Sequence, residues 1–336
     1  MIVVLGDINV DISARLDLPL RMGSDCLAAE LGLHLGGVGA NTAVALARLG
    51  EPVRLLACAG RDAFAEWALE RLAREGVEIS FVQRTAEALT GMMFIAIAPD
   101  GQRTILGSRS ANLLLRPEEE MKRALDGARA FHLMGYSQMV PALEEAAAAL
   151  LRGARQRGLT VSVDAGAAPS HQFPEKVVAL GTKAGVFFAN QEEAVALTGK
   201  DDPRAALEAL EKSGIPQAIL KLGEAGCLLR QGSALVEVPP LPVRAVDTTG
   251  AGDSFTAAFL KARLDGWPDT EAALLANAAG AAASEIVGAA DGMPDIGRLR
   301  AIISETPLPD PWGEVGRRVL ERLQQKASAT PRARGA

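Results

Sequence analysis

The chain has 336 residues, 49% of them hydrophobic and only 4% aromatic, with 34 glycines and a formal net charge of −6. That is enough material for one large α/β domain, and the acidic balance argues against a nucleic-acid partner, whose usual footprint is a basic face. Cys26, Cys58 and Cys227 are odd in number and scattered, as are His34, His132 and His171, so neither a disulfide framework nor a structural zinc site is expected.

The opening run MIVVLGDINV has no basic segment, and Asp7 interrupts it early, so it reads as a first strand and not a secretory signal. A reduced protein of the cytoplasm, without a membrane partner, is expected. From about Asp11 to Leu35 no long helical pattern occurs. Then NTAVALARLG, VRLLACAG and FAEWALERLAREG begin an alternation of helical and strand patterns. Thr90 to Ser108, TGMMFIAIAPDGQRTILGS, reads as two strands around a Pro-Asp-Gly turn. The alternation resumes with ARAFHLMG, LEEAAAALLRGARQRG, TVSVDAG, AGVFFAN, QEEAVALTG, RAALEALEKSG and AILKLG. It predicts an α/β fold with a doubly wound, mostly parallel sheet flanked by helices, binding its ligand beyond the carboxyl ends of the strands.

Residues 11–35 and 90–108 would form a separate sheet of roughly four strands, a lid. MMFIAIA, Met92 to Ala98, is almost wholly apolar, so both of its faces want cover. One face can close over a substrate, and the other predicts a homodimer through the lid. AALLANAAGAAASEIVGAA, Ala272 to Ala290, is broken by Asn277, Ser284 and Glu285 and predicts a buried helix in place of a membrane span. A single domain over residues 1–325 is expected, with 326–336 a disordered tail.

The stretch DTTGAGDSF, Asp247 to Phe255, joins a small-residue turn to a helix whose Phe255, Phe259, Leu260 and Leu264 share one face. Gly250 and Gly252 would each cost about 1 kcal/mol inside a helix. Gly250, Ala251 and Gly252 instead place bare N–H groups at the helix N-terminus, where an anion is stabilised. Asp253 in that first turn also suits the helix dipole, which favours an ionised carboxylate at neutral pH. The standard nucleotide loops are absent. The one Gly-Lys pair, Gly199-Lys200, is followed by Asp201, and GDINVD stands where a dinucleotide fingerprint would follow the first strand. A nicotinamide oxidoreductase therefore lacks its glycines.

DTTGAGDSF resembles the pattern D-T-x-G-A-G-D-x-F of the ribokinase-like (PfkB) family of sugar and nucleoside kinases, with Asp247, Thr248, Gly250, Ala251, Gly252, Asp253 and Phe255 all fitting. Other landmarks follow the family's order from Met1 to about Ile302. GDINVD resembles the sugar-contacting segment, which implies that Asn9 and Asp11 bond substrate hydroxyls; both residues also suit a turn. GGVGANTA resembles G-G-x-x-x-N, implicating Gly36, Gly37, Gly39 and Asn41 in sugar binding, with Val38 where ribokinase proper commonly has Lys. NQEEAVALTG resembles N-x-x-E, implying that Asn190 meets ATP and Glu193 positions Mg2+ through water; the same spacing is a helix capping box. KLGEAG resembles the nucleotide segment, which implies ATP contacts for Lys221, Gly223 and Gly226 together with Gly250, Gly252 and Asn277.

The resemblance implies an ATP- and Mg2+-dependent kinase with Asp253 as general base and sugar ligand, and Gly250, Ala251 and Gly252 as the anion hole. It also implies a monovalent-cation loop for K+ at Asp247 and Thr249, with a partner segment near 284–288. The acceptor is a small sugar or sugar acid of ribose, fructose or 2-keto-3-deoxygluconate type; a nucleoside is the alternative. Arg109 stands beside the lid, where it would pair with a substrate carboxylate or be solvated, and Tyr136 stands where ribokinase proper has an acidic residue.

Overall fold

The computed structural model describes residues 1–17, 23, 25–98 and 103–329. Among these, fourteen strands form two sheets: β1 (Ile2–Leu5), β2 (Asn9–Leu16), β3 (Ala28–Gly36), β4 (Val53–Gly60), β5 (Val77–Glu78), β6 (Val82–Thr85), β7 (Gly91–Ile97), β8 (Arg103–Ser108), β9 (Ala130–Met134), β10 (Thr160–Asp164), β11 (Val186–Asn190), β12 (Ala218–Lys221), β13 (Cys227–Gln231) and β14 (Ala234–Val238). The large sheet runs β14-β13-β12-β11-β10-β9-β1-β4-β5, with β6 beside β4. Its pairings are parallel from β12 to β5, and only β13 and β14 turn antiparallel at one edge. The expected mostly parallel α/β sheet is present.

Because side chains alternate across a strand, the wholly apolar β1 feeds two cores. Ile2 and Val4 enter the core shared with the helices Val38–Arg48, Ala251–Leu264 and Asp269–Ala283. Val3 and Leu5 enter the other, under Pro141–Gln156 and Pro203–Lys212. Phe188 of β11 anchors the helix Ala251–Leu264: it meets the rings of Phe255 and Phe259 edge-on at 6.4 and 5.5 Å. Those two phenylalanines, four apart, are on the face that the spacing predicts. The Ala-rich helix Asp269–Ala283 is buried on nearly every side, as expected. Among the described residues no helix is long and apolar enough to cross a membrane.

The second sheet has the order β3-β2-β7-β8, the four-stranded lid expected from the two segments. The Pro-Asp-Gly turn between β7 and β8 lies outside the described residues. Register sorts the lid's faces. Leu33, Ile12, Phe94 and Leu106 stand opposite one another in a row across all four strands. Phe94 is 42% and Leu106 76% exposed, and Leu31, two residues from Leu33, is 67% exposed. On the other face Asp11, Ser13, His34, Ile95 and Ile97 line a cavity of about 390 Å³ with residues 245–249 and 287–289. Phe94 and Ile95 thus serve opposite faces.

The helix Trp312–Ala329 runs past position 326, where the sequence reading begins its tail; residues 330–336 lie outside the described residues. Val315, Val319 and Leu323, four apart, bury against the core, and this stripe carries the helix on. Arg318 and Arg322 reach the buried Glu271 carboxylate of the helix Asp269–Ala283 at 2.8 and 2.6 Å. Replacing both arginines by Ala strands that carboxylate. Stability is expected to fall, by less than for a fully buried pair because both guanidiniums are partly solvated; the urea midpoint measures it.

Candidate active site

The site lies at the carboxyl ends of β1, β10, β11 and β12, with the lid above. Asp7 follows β1 directly. Its Oδ1 accepts from the N–H of Gly39 at 3.0 Å, and its carbonyl accepts from Ala40 at 3.0 Å, so it seats the glycine-rich start of the helix Val38–Arg48. Gly37 caps that helix at φ +97°, and a Cβ there would stand 2.6 Å from the Asp7 carbonyl. Only glycine satisfies both conditions. Gly36 and Gly39 pack as closely, against the Asp11 carboxylate and against the 6–7 backbone.

Asn41, one turn into the helix, donates from Nδ2 to Asp253 Oδ2 at 2.8 Å, joining two motifs 212 positions apart. Its Oδ1 is buried without a partner, and so is Oδ1 of Asp11. Two orphaned acceptors fit hydroxyl donors of a bound molecule. Burial, with Asp7 nearby, pushes the Asp11 carboxyl up to about 7, while His34, directly opposite on β3, opposes the shift. Asn9 is set by a residue that the sequence reading did not single out. Asn112 donates to Asn9 Oδ1 at 2.8 Å and to the Ile8 carbonyl at 3.0 Å, and accepts from the Ile8 N–H at 2.9 Å. No local pattern marks Asn112, since its partners are over a hundred residues away.

Arg109 lines a separate small cavity with Asp7, Asn112 and Tyr136, and Asp7 already takes its charge: Nη1 lies 2.8 Å from Asp7 Oδ2, and the guanidinium stacks on the Tyr136 ring at 3.4 Å. It is neither a solvated lid residue nor an unpaired cation awaiting an anion.

The helix Ala251–Leu264 begins at Gly250, and Asp253 lies in its first turn. The Ala251 N–H turns back toward the Thr248 carbonyl at 3.3 Å, so the N–H groups of Gly252 and Asp253 lead the helix N-terminus. Asp253 departs from expectation. Desolvation of its carboxyl pushes it up to about 8, against the Asn41 hydrogen bond; Asp164 and Asp7 add to the rise and Lys221 opposes it. The helix dipole does not offset this loss of hydration.

On the other side of the turn, Asn190 and Glu193 form the capping box in full, with both bonds at 2.8 Å. Burial and Asp164 push the Glu193 carboxyl up to about 7. Lys221 ends β12, and its Nζ lies 2.7 Å from Asp164 Oδ2. Gly223 opens a short 3-10 turn after it. Gly226, at φ +84°, packs on the Val238 carbonyl. Asn277 donates to the carbonyls of Val238 and Pro239 at 3.2 and 2.9 Å, so its amide fixes that same segment.

Residues 284–288 do lie against the Asp247 turn: the Val246 and Asp247 N–H groups share the Ser284 carbonyl at 2.7 and 3.1 Å. Asp247 Oδ1 accepts from Thr249 N–H and hydroxyl at 3.0 and 2.7 Å, and Oδ2 accepts from Gly288 N–H at 3.0 Å. Among the described residues no group of three or more His, Cys, Asp or Glu side chains could hold a metal ion. The same 284–293 segment meets the lid, where Asp291 pairs with His34 at 3.1 Å and Arg71 at 2.5 Å.

The profile of the pfkB family carbohydrate kinases matches residues 1–296. The chain is 32% identical over 284 residues to the Arabidopsis thaliana protein named Probable fructokinase-4, covering 80% of this chain and 87% of that one. It is 31% identical over 266 residues to ribokinase of Mus musculus, covering 77% and 80%. Ribokinase from Thermotoga maritima superposes with a TM-score of 0.79 at 28% identity, over 90% of this chain and 99% of that one. The Arabidopsis thaliana ribokinase complexed with ribose and ATP gives 0.79 at 26%, over 90% and 97%. The chain belongs to the pfkB family of carbohydrate kinases, phosphotransferases that use an alcohol group as acceptor.

Proposed function

We propose that this kinase transfers the γ-phosphoryl group of ATP to a hydroxyl of a small sugar or sugar acid, with Asp253 as general base. One observation carries the assignment: Asp253 is the hinge between two sets of groups. On one side stand Asn41 and the unpaired acceptors of the sugar-facing set. On the other stand Lys221 and the open helix turn, Lys221 Nζ lying 3.4 Å from where a Gly252 Cβ would be. Asp253 takes the proton of the acceptor hydroxyl as the new oxygen–phosphorus bond forms, and the departing ADP oxygen keeps the electron pair of the bond that breaks. The N–H groups of Gly252 and Asp253 then meet the negative charge of the group in flight.

Glu193, a buried carboxyl short of positive charge, suits a divalent cation held nearby through water. Magnesium bound there supplies neutralisation of phosphate charge. With the Asp247 carboxylate engaged by Thr249 and Gly288, that side chain shapes its turn, and K+ would rest on backbone carbonyls of the 247–249 and 284–288 segments. The apolar row on the lid's outer face supports a homodimer in which lids pack on each other, since an exposed sheet face of this kind calls for cover.

Asp253→Asn keeps the fold but lowers turnover at least about a hundredfold. Because the base must be unprotonated, wild-type kcat/KM rises about tenfold per pH unit up to roughly 8 and then levels, and the Asp253→Asn variant loses this limb. Steady-state assays across pH with a panel of sugars and sugar acids measure both; normal turnover in the folded variant removes Asp253 from the role. Arg109→Ala leaves Asp7 buried and unpaired, so stability drops by roughly 3 kcal/mol and KM for the acceptor rises while KM for ATP holds. Phe94→Asp makes the protein sediment as a monomer, whereas Ile95→Asp, on the site face, raises the acceptor KM. A wild-type monomer at micromolar concentration would sink the dimer.

A further inference from the structure

Asp164 is a buried carboxylate at the end of β10, outside every motif above. Its Oδ2 accepts from Lys221 Nζ at 2.7 Å and from Thr256 Oγ1 at 3.0 Å. Lys221 belongs to β12, so its side chain crosses the end of β11 to get there. Thr256 stands three residues beyond Asp253, almost one turn further along the same helix. One oxygen atom thus ties a distant strand end to the helix whose first turn forms the anion hole. The ammonium stands beside the first turn of that helix, 3.4 Å from where a Gly252 Cβ would be.

A lysine ammonium on its flexible stem does not hold one place without a fixed partner. Stability alone is a poor reason for this partner, because a buried ion pair is often replaced by apolar residues without loss. The arrangement also adds a carboxylate to a neighbourhood that already holds Asp253 and Glu193. Burial works to lower the Lys221 ammonium, yet Asp164, Glu193 and Asp253 together hold it above the usual lysine range, so it stays charged.

We propose that Asp164 is a positioning residue of the phosphoryl transfer: it holds the Lys221 ammonium against the Gly250–Asp253 turn, where that cation shares with the helix N–H groups the charge of the group in flight. The proposal rests on the kinase reading of the site. Asp164 touches neither substrate and acts through Lys221; it neither gives nor takes a proton in the step.

The test compares wild type, Asp164→Asn and Asp164→Glu on the best acceptor, by kcat, both KM values, the pH profile and calorimetric titration with ADP, with thermal melting as a fold check. In Asp164→Asn we expect kcat to fall roughly ten- to a hundredfold, the scale of one hydrogen bond to a charged group. ADP binding weakens, the acceptor KM stays within about twofold, and Asp164→Glu regains part of kcat. A merely structural role lowers the melting temperature and leaves kcat and ADP affinity of the folded enzyme unchanged. A folded Asp164→Asn enzyme with wild-type kcat and ADP affinity overturns the proposal.

If the Asp164 variants do not fold, Thr256→Val removes the helix tether and keeps every charge. A fall in kcat of about threefold or more supports the proposal, and unchanged kcat overturns it. A wild type that phosphorylates no sugar or sugar acid defeats the sugar-acceptor reading instead. The ADP titration then still decides whether Asp164 holds Lys221 for phosphate, weakened binding in Asp164→Asn supporting it and equal binding overturning it.

Discussion

Everything in this site depends on packing carboxyl groups at the ends of parallel strands, where water is scarce. Asp7, Asp11, Asp164, Glu193 and Asp253 converge there, and two side-chain cations answer them at contact distance: Arg109 on Asp7 and Lys221 on Asp164. The carboxyls left over, Asp11, Glu193 and Asp253, are the three pushed up to about 7 or 8. That division follows from electrostatics, since a desolvated carboxyl either finds a cation or keeps its proton. It also suits the chemistry, because a proton acceptor works best with a proton affinity near the working pH.

The lid has a second constraint, the period of a β-strand. Odd-numbered residues of β2 face the site and even-numbered ones face away, so Asp11 and Ser13 line the cavity while Ile12 joins the apolar row with Leu33, Phe94 and Leu106. One strand thereby lines the cavity on one side and carries the apolar row on the other. The lid also joins the body through His34 and Asp291 and through the Ala290 N–H to the Leu35 carbonyl at 3.4 Å. The segment carrying Asp291 and Ala290 also receives the Asp247 turn, so the lid and the 247–250 turn are fastened to the same stretch of chain.

The C-terminal helix shows how a local pattern is outvoted by packing. From position 326 the sequence turns polar and reads as a tail, yet the stripe Val315, Val319 and Leu323 fixes the helix to the core. The ion pairs of Arg318 and Arg322 with Glu271 tie it to the helix beside the anion hole. Residues just beyond a well-anchored stripe inherit its backbone because each added turn propagates from one already formed.

By itself the sequence determined what short-range physics controls. The strand–helix alternation, the two-stranded lid segments, the glycine turn that begins the helix Ala251–Leu264 and the face carrying Phe255 and Phe259 all follow from periodicity and from where glycine alone fits. The family's motifs supplied Asp253, Asn41, Asn190 and Lys221 as a set. Tertiary structure alone decided which groups meet. Arg109 finds Asp7 across 102 positions, Asn112 finds Asn9 across 103, and Lys221 finds Asp164 across 57. It alone also decided that the Asp253 carboxyl is pushed up to about 8, because the helix dipole can be read from local sequence, whereas loss of hydration depends on everything packed around the carboxyl.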